Sequence, residues 1–131
     1  GIPRVLYYGK CGKTHYLVMQ ELGPNLEDPF SFVAVDSGSD ILAELIINVF
    51  HFQPENMLLV GLQILDRLEQ LHNLGFIYRD VKPENFLIGS IRRPDSNMIY
   101  MVDYGLATPF MDKCEKHIAF GNEKQIIGTA R

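Results

Sequence analysis

Asp80, Lys82 and Asn85 stand in the string Tyr78-Arg79-Asp80-Val81-Lys82-Pro83-Glu84-Asn85, and Asp103-Tyr104-Gly105 follows after a stretch that reads as strand, turn, strand. These residue types fit transfer of a phosphoryl group, a reaction that needs positioning and charge neutralisation more than covalent help. Asp80 can accept, or orient, the proton of an attacking hydroxyl. Asn85 offers a neutral carbonyl oxygen and Asp103 an ionised carboxylate to Mg2+, a hard cation that binds oxygen. Lys82 is a compact positive charge suited to the moving phosphate. Each string alone has an ordinary reading, since an Arg-Asp pair is often a surface ion pair and Asp-x-Gly is often a turn. Both together, in order and with strands between them, point to the chemistry.

The elements around these strings follow from periodicity and turn chemistry. Pro54 to Asn73 predicts a helix: Pro54 suits a first turn, Glu55 the positive end of the helix dipole, and Gly75 a stop. Leu58, Leu62, Leu65, Leu68 and Leu71 recur at helical spacing and predict one buried face. His72, near the end, reads as a packed or dipole-compatible histidine rather than a ligand. Phe86-Leu87-Ile88 and Met98 to Val102 predict a hairpin around the polar turn Arg92 to Asn97. That hairpin would set Asn85 and Asp103 at neighbouring strand ends, within reach of the same metals. Ile2 to Tyr8 and His15 to Gln20 predict a second hairpin, joined by Gly9-Lys10-Cys11-Gly12-Lys13. The glycines there mark a turn, not a nucleotide-binding loop, because the spacing is wrong and no helix follows.

Composition narrows the class. The 131 residues are 47% hydrophobic, enough for a core, and no run of eighteen apolar residues crosses a membrane. A net charge of −4 gives no support for nucleic-acid binding or bulk membrane attraction. Cys11 and Cys114 are far apart and lack metal-ligand spacing, so reduced thiols in a cytoplasmic setting are expected.

On Leu22 to Asp28 (LGPNLED), Tyr78 to Gly89 (YRDVKPENFLIG) and Gly128 to Arg131 (GTAR), the chain resembles the casein kinase 1 group of serine/threonine protein kinases. Tyr78, where most kinases have histidine, and the long spacing from Asp80 to Asp103 favour its gamma type. The resemblance implies an α+β, bilobal protein kinase-like fold with ATP and Mg2+ as cofactors. It implies a partial domain: small-lobe strands and hinge over 1–22, then the first part of the helical lobe over 23–131, with the catalytic loop and activation segment. No Gly-rich phosphate loop, strand lysine or partner glutamate helix is found in the sequence. Met19 would be the gatekeeper, and Gln20, Glu21 and Leu22 the hinge whose backbone meets the adenine edge. Lys82 marks a serine/threonine rather than a tyrosine enzyme. Thr129 would support Asp80 and Lys82.

The same resemblance bears on partners. Arg131 would face an acidic or phosphorylated residue of a protein substrate, while Arg79 and Lys124 match a second anion site, since guanidinium groups grip phosphate bidentately. A solvated loop lysine is the plain alternative for Lys124. A monomer is expected, and membrane attachment would come only from a C-terminal tail. Two departures stand out. Thr108 replaces a family lysine and removes one cation from the second anion site, and Tyr104 replaces the phenylalanine of the metal-ligand motif; its hydroxyl needs a partner if buried. Residues 31–51 depart further: roughly fifteen extra residues follow Asp28, with a strand-like run from Ser31 and an apolar helix-like run from Ile41 to Phe50. They read either as a surface insertion or as a stretch translated from an intron. A catalytically dead, kinase-like binding or scaffold protein is the rival function. Retention of Asp80, Lys82, Asn85 and Asp103 argues against it.

Overall fold

In the computed structural model the described residues are 1–27, 54–90, 92–114, 116–119 and 127–129. Strands β1 (Val5–Cys11) and β2 (Thr14–Met19) form the expected hairpin, but shifted toward the turn relative to the apolar runs Ile2–Tyr8 and His15–Gln20. Gly9, Lys10 and Cys11 pair with Tyr16, His15 and Thr14, so the turn shrinks to Gly12-Lys13. Gly12 takes φ 61°, and a two-residue loop with a positive φ at its first position matches the twist of paired strands.

Strand β3 (Leu22–Asn25) begins three residues after β2 ends, and helix α1 spans Pro54–Asn73, the bounds its sequence predicts. Gly75, at φ 81°, turns the chain back and donates its N–H to the His72 carbonyl at 2.8 Å, closing the last turn. Short β4 (Phe76–Ile77) follows, then β5 (Phe86–Gly89), β6 (Ile99–Met101) and β7 (Thr108–Pro109). β3, β5 and β6 make one antiparallel sheet in that spatial order, and β4 pairs with β7. The β4–β7 pair was not foreseen: two residues carry no period-2 signal, and Pro109 weakens any strand reading.

The core lies between α1 and the three-stranded sheet. Leu71, Tyr78, Phe86, Ile88, Ile99 and Met101 are buried in it, with Val60, Ile64 and Leu68 packed against them from the helix. The predicted buried face of α1 therefore needs correction. Leu68 and Leu71 face the core, whereas Leu58, Leu62 and Leu65 are exposed at 65%, 54% and 63%. The reason is in the sequence itself. α1 carries apolar residues on more than one stripe, and the sheet takes the stripe of Val60, Ile64 and Leu71. The expected insert over 31–51, with its strand-like and helix-like runs, lies outside the described residues.

Candidate active site

The catalytic-loop string leaves β4, passes through a single 3-10 turn over Pro83–Asn85, and enters β5. Pro83 fixes φ at the first position of that turn, where its missing N–H costs nothing. Asn85 is buried and holds the loop shut: its Nδ2 donates to the Asp80 carbonyl oxygen and to Asp80 Oδ2, both at 3.0 Å. Asp80 is itself buried. Its carboxylate meets Lys82 Nζ at 2.9 Å and accepts from Thr129 Oγ1 at 2.8 Å. Lys82 Nζ also donates to Thr129 Oγ1 at 2.8 Å, which closes a triangle of carboxylate, cation and hydroxyl. The hydrogen bond from Lys82, seconded by that from Thr129, holds the Asp80 carboxyl below the usual carboxylate range. Asp80 therefore stays ionised near neutral pH, the state in which a carboxylate can accept a proton.

The β5–β6 ladder brings the second string to the first. Phe86 pairs with Met101, and the Val102 N–H donates to the Asn85 carbonyl at 3.0 Å, so Asp103 follows the last rung beside Asn85. Asp103 is exposed, and its Oδ1 accepts the Gly105 N–H at 3.2 Å. The donor set fits magnesium: Asn85 and Asp103 would offer two hard oxygen donors to Mg2+, which would supply charge neutralisation there. Among the described residues, no three His, Cys, Asp or Glu side chains gather as a closed metal cage would require.

Backbone conformation gives a pointer that residue types do not. Arg79 and Asp103 have φ of 68° and 57°, and among the described residues they are the non-glycine positions with positive φ. Such conformations persist where surroundings over-determine them, commonly at functional sites. Arg79 Nε donates to the Leu106 carbonyl at 2.7 Å, tying the loop to the segment after Asp103. Sequence reasoning gave Arg79 only an anion-binding part and missed this tie, for which a backbone acceptor leaves no signature. Lys124 and Arg131 lie outside the described residues. Met19 ends β2, and Gln20 and Glu21 bridge the hairpin to β3, which opens at Leu22. There the Gln20 N–H donates to the Arg4 carbonyl at 3.0 Å, while Leu22 pairs with Gly89.

Comparison with known proteins agrees with this geometry. The protein kinase domain family model matches residues 24–130, which include every residue of the Asp80–Asn85–Asp103 cluster. The chain belongs to the protein kinase family. Within that family its similarity runs to casein kinase I proteins. Casein kinase I homolog RAG8 of Kluyveromyces lactis is 36% identical over 132 residues, covering the whole chain and 22% of that protein. Casein kinase I homolog 3 of Schizosaccharomyces pombe is 38% identical, again over the whole chain and 27% of the relative. Casein kinase I homolog 2 of Saccharomyces cerevisiae is 36% identical, with 21% of its length covered. The chain thus spans about a fifth to a quarter of the length of these relatives. Among the described residues, no helix is long and apolar enough to cross a membrane.

Proposed function

We propose that this chain carries the catalytic loop and metal-binding half of a casein kinase 1-type serine/threonine kinase, most like the gamma members. It would transfer the γ-phosphate of ATP to a seryl or threonyl hydroxyl of a protein. The observation behind this reading is the triangle of Asp80, Lys82 and Thr129, tied at 3.0 Å to Asn85. Asp80 takes the proton as the substrate oxygen bonds to the γ-phosphorus and the bond to the β–γ bridging oxygen breaks, leaving ADP. Lys82, within reach of Asp80, turns to the transferring phosphate, and Thr129 holds Asp80 in line meanwhile. Asn85 and Asp103 would hold Mg2+, which when bound neutralises charge on the phosphates. The backbone from Gln20 to Leu22, behind the gatekeeper Met19, would meet the adenine edge.

Protein substrates bearing acidic or phosphorylated residues complete the proposal, with Arg131 as the reader of that charge and Arg79 and Lys124 as a second anion site. The chain alone leaves the Leu58–Leu62–Leu65 face of α1 uncovered and holds no strand lysine for the nucleotide, so 1–131 by itself would transfer no phosphate.

The test is phosphate transfer by the full-length protein to paired primed and unprimed peptides. Asp103→Asn should reduce transfer at least about a hundredfold on both. Arg131→Glu should cost about 1.5–3 kcal/mol in kcat/KM on the primed peptide only. Wild-type protein that binds ATP yet transfers nothing to either peptide would favour the scaffold function instead.

A further inference from the structure

A chain of polar contacts that includes no member of the Asp80–Asn85–Asp103 cluster runs from the β5–β6 turn to Gln20. Its centre is Tyr100, buried in β6 opposite Leu87 of β5. The Tyr100 hydroxyl donates to Asp95 Oδ2, while Arg93 Nε donates to Asp95 Oδ1 at 3.2 Å. The bond from Tyr100 holds the Asp95 carboxyl below the usual carboxylate range, and that carboxylate in turn pushes the Tyr100 hydroxyl up. The proton therefore stays on Tyr100 and is committed to Asp95, so the Tyr100 oxygen has only lone pairs left to offer. The Gln20 amide stands beside it. Gln20 Oε1 is taken by the Arg4 N–H at 3.0 Å, and the amide meets Tyr100 through Nε2. Nε2 is buried and closes no full hydrogen bond, a costly state for a donor, which the Tyr100 lone pair beside it relieves.

The same turn reaches the Gln20–Leu22 segment along the backbone. Leu22 pairs with Gly89, and a Cβ added at Gly89 would lie 1.9 Å from the Asp95 carbonyl oxygen. Glycine at that position lets the turn lie directly against the strand that Leu22 leans on. A Cβ at Gly23 would lie 2.9 Å from the Gly89 carbonyl oxygen, so the chain leaving Leu22 is seated as closely.

We infer that the β5–β6 turn tethers the hinge: Asp95 fixes Tyr100, Tyr100 fixes Gln20, and the backbone of Gln20 to Leu22 is held ready for an adenine edge. Tyr100 and Asp95 are positioning residues in this scheme, and neither takes part in phosphate transfer. Ordering the hinge before the nucleotide arrives removes that entropy cost from binding. The tether rests on the backbone of Gln20 to Leu22 meeting adenine, as proposed above.

The experiment uses full-length protein with adenosine as the probe, in the absence of metal, and amide hydrogen exchange at residues 20–22. One net hydrogen bond shifts an equilibrium about two- to tenfold. Tyr100→Phe and Asp95→Ala should each weaken adenosine binding and speed exchange at 20–22 by such a factor. The double variant should lose no more than either single one, because both break the same chain. Asp95→Asn keeps an oxygen that accepts from Tyr100 and should restore most of the affinity lost in Asp95→Ala. In peptide phosphorylation the KM for ATP should rise in Tyr100→Phe with kcat unchanged. Gln63→Ala is the control. Gln63 holds the same hairpin from the helix side, accepting the Ile99 N–H at 2.9 Å and donating to the Asn97 carbonyl at 3.1 Å, so its loss should leave adenosine affinity alone. Equal weakening in Gln63→Ala would mean general loosening of the hairpin and would overturn the tether, as would additive losses in the double variant. If adenosine protects the amides of 20–22 in wild type and both tether variants bind it at wild-type strength, the tether is overturned and the hinge reading stands. If adenosine leaves those amides unprotected in wild type, the hinge reading is overturned and the tether with it.

Discussion

The loop from Tyr78 to Asn85 and the outer face of α1 are held in opposite ways. The loop has almost no regular structure, yet Tyr78, Asp80 and Asn85 are buried and their polar groups are paired with one another or with backbone. α1 is regular for twenty residues, yet Leu58, Leu62 and Leu65 lie more than half exposed along it. Regularity of the backbone and rigidity of the surroundings are separate properties here. The irregular segment is fixed by directional bonds in a low-dielectric setting, where each unmade bond is costly. The regular one is fixed by its own ladder and by only part of its circumference.

That contrast can be broken most directly at Asp80. Asp80→Asn keeps the shape but loses the charge and the proton acceptor, so kcat in the full-length protein should fall about 10²–10⁴-fold with an unchanged circular dichroism spectrum. A collapse of the fold instead would mean that the loop, too, depends on more than its local bonds. Next in size is a paired truncation. Met101→Ala, in the core, should cost about 2–5 kcal/mol in urea unfolding, whereas Leu62→Ala in this 131-residue chain should stay within about 0.5 kcal/mol. Equal losses at the two positions would erase the distinction between the faces of α1.

A pH series sharpens the polar side of the comparison. The Asp80 carboxyl is depressed, chiefly by Lys82, so its contribution to stability is fully present above the unfolded value of about 3.9 and is lost as pH falls through the lower folded value. The gap in urea midpoint between wild type and Asp80→Asn should therefore be constant from pH 7 to about 5 and close below about 3.9. A gap that does not narrow at all as pH falls below about 3.9 would assign the effect to packing rather than charge. An effect smaller than that at Met101 belongs to the β1–β2 turn. A side chain at Gly12 would meet nothing within 4 Å, so Gly12→Ala should cost only the left-handed backbone penalty, about 1 kcal/mol, by thermal unfolding.

The sequence was most legible where chemistry or stereochemistry limits the choice of residue. Pro54 and Gly75 bracket α1, and the polar run Arg92 to Asn97 marks the β5–β6 hairpin, because few residues suit those backbone conformations. The grouping of Asp80, Lys82 and Thr129 could be read only through resemblance, since Thr129 comes from 49 residues away and no local pattern announces it. Which stripe of α1 is buried could not be read at all: leucines at helical spacing say that a face exists, not what lies opposite. The Arg79–Leu106 tie and the β4–β7 pair escaped for a related reason: each is made to backbone groups, which any residue supplies.

The separation of contacts along the chain carries a consequence for the order of folding. Asn85 and Asp103 are joined through one local hairpin, whose closing bonds, Gly89 to Met98 and Val102 to Asn85, demand little loop entropy. Thr129 must close loops of 49 and 47 residues to reach Asp80 and Lys82. The Asn85–Asp103 half of the site should therefore form with the nucleus, and the Asp80–Lys82–Thr129 half late, near the native side of the barrier. Substitutions in the hairpin would slow folding, while Thr129→Val would leave the folding rate alone and quicken unfolding. In a stopped-flow chevron the first would move the left limb and the second the right.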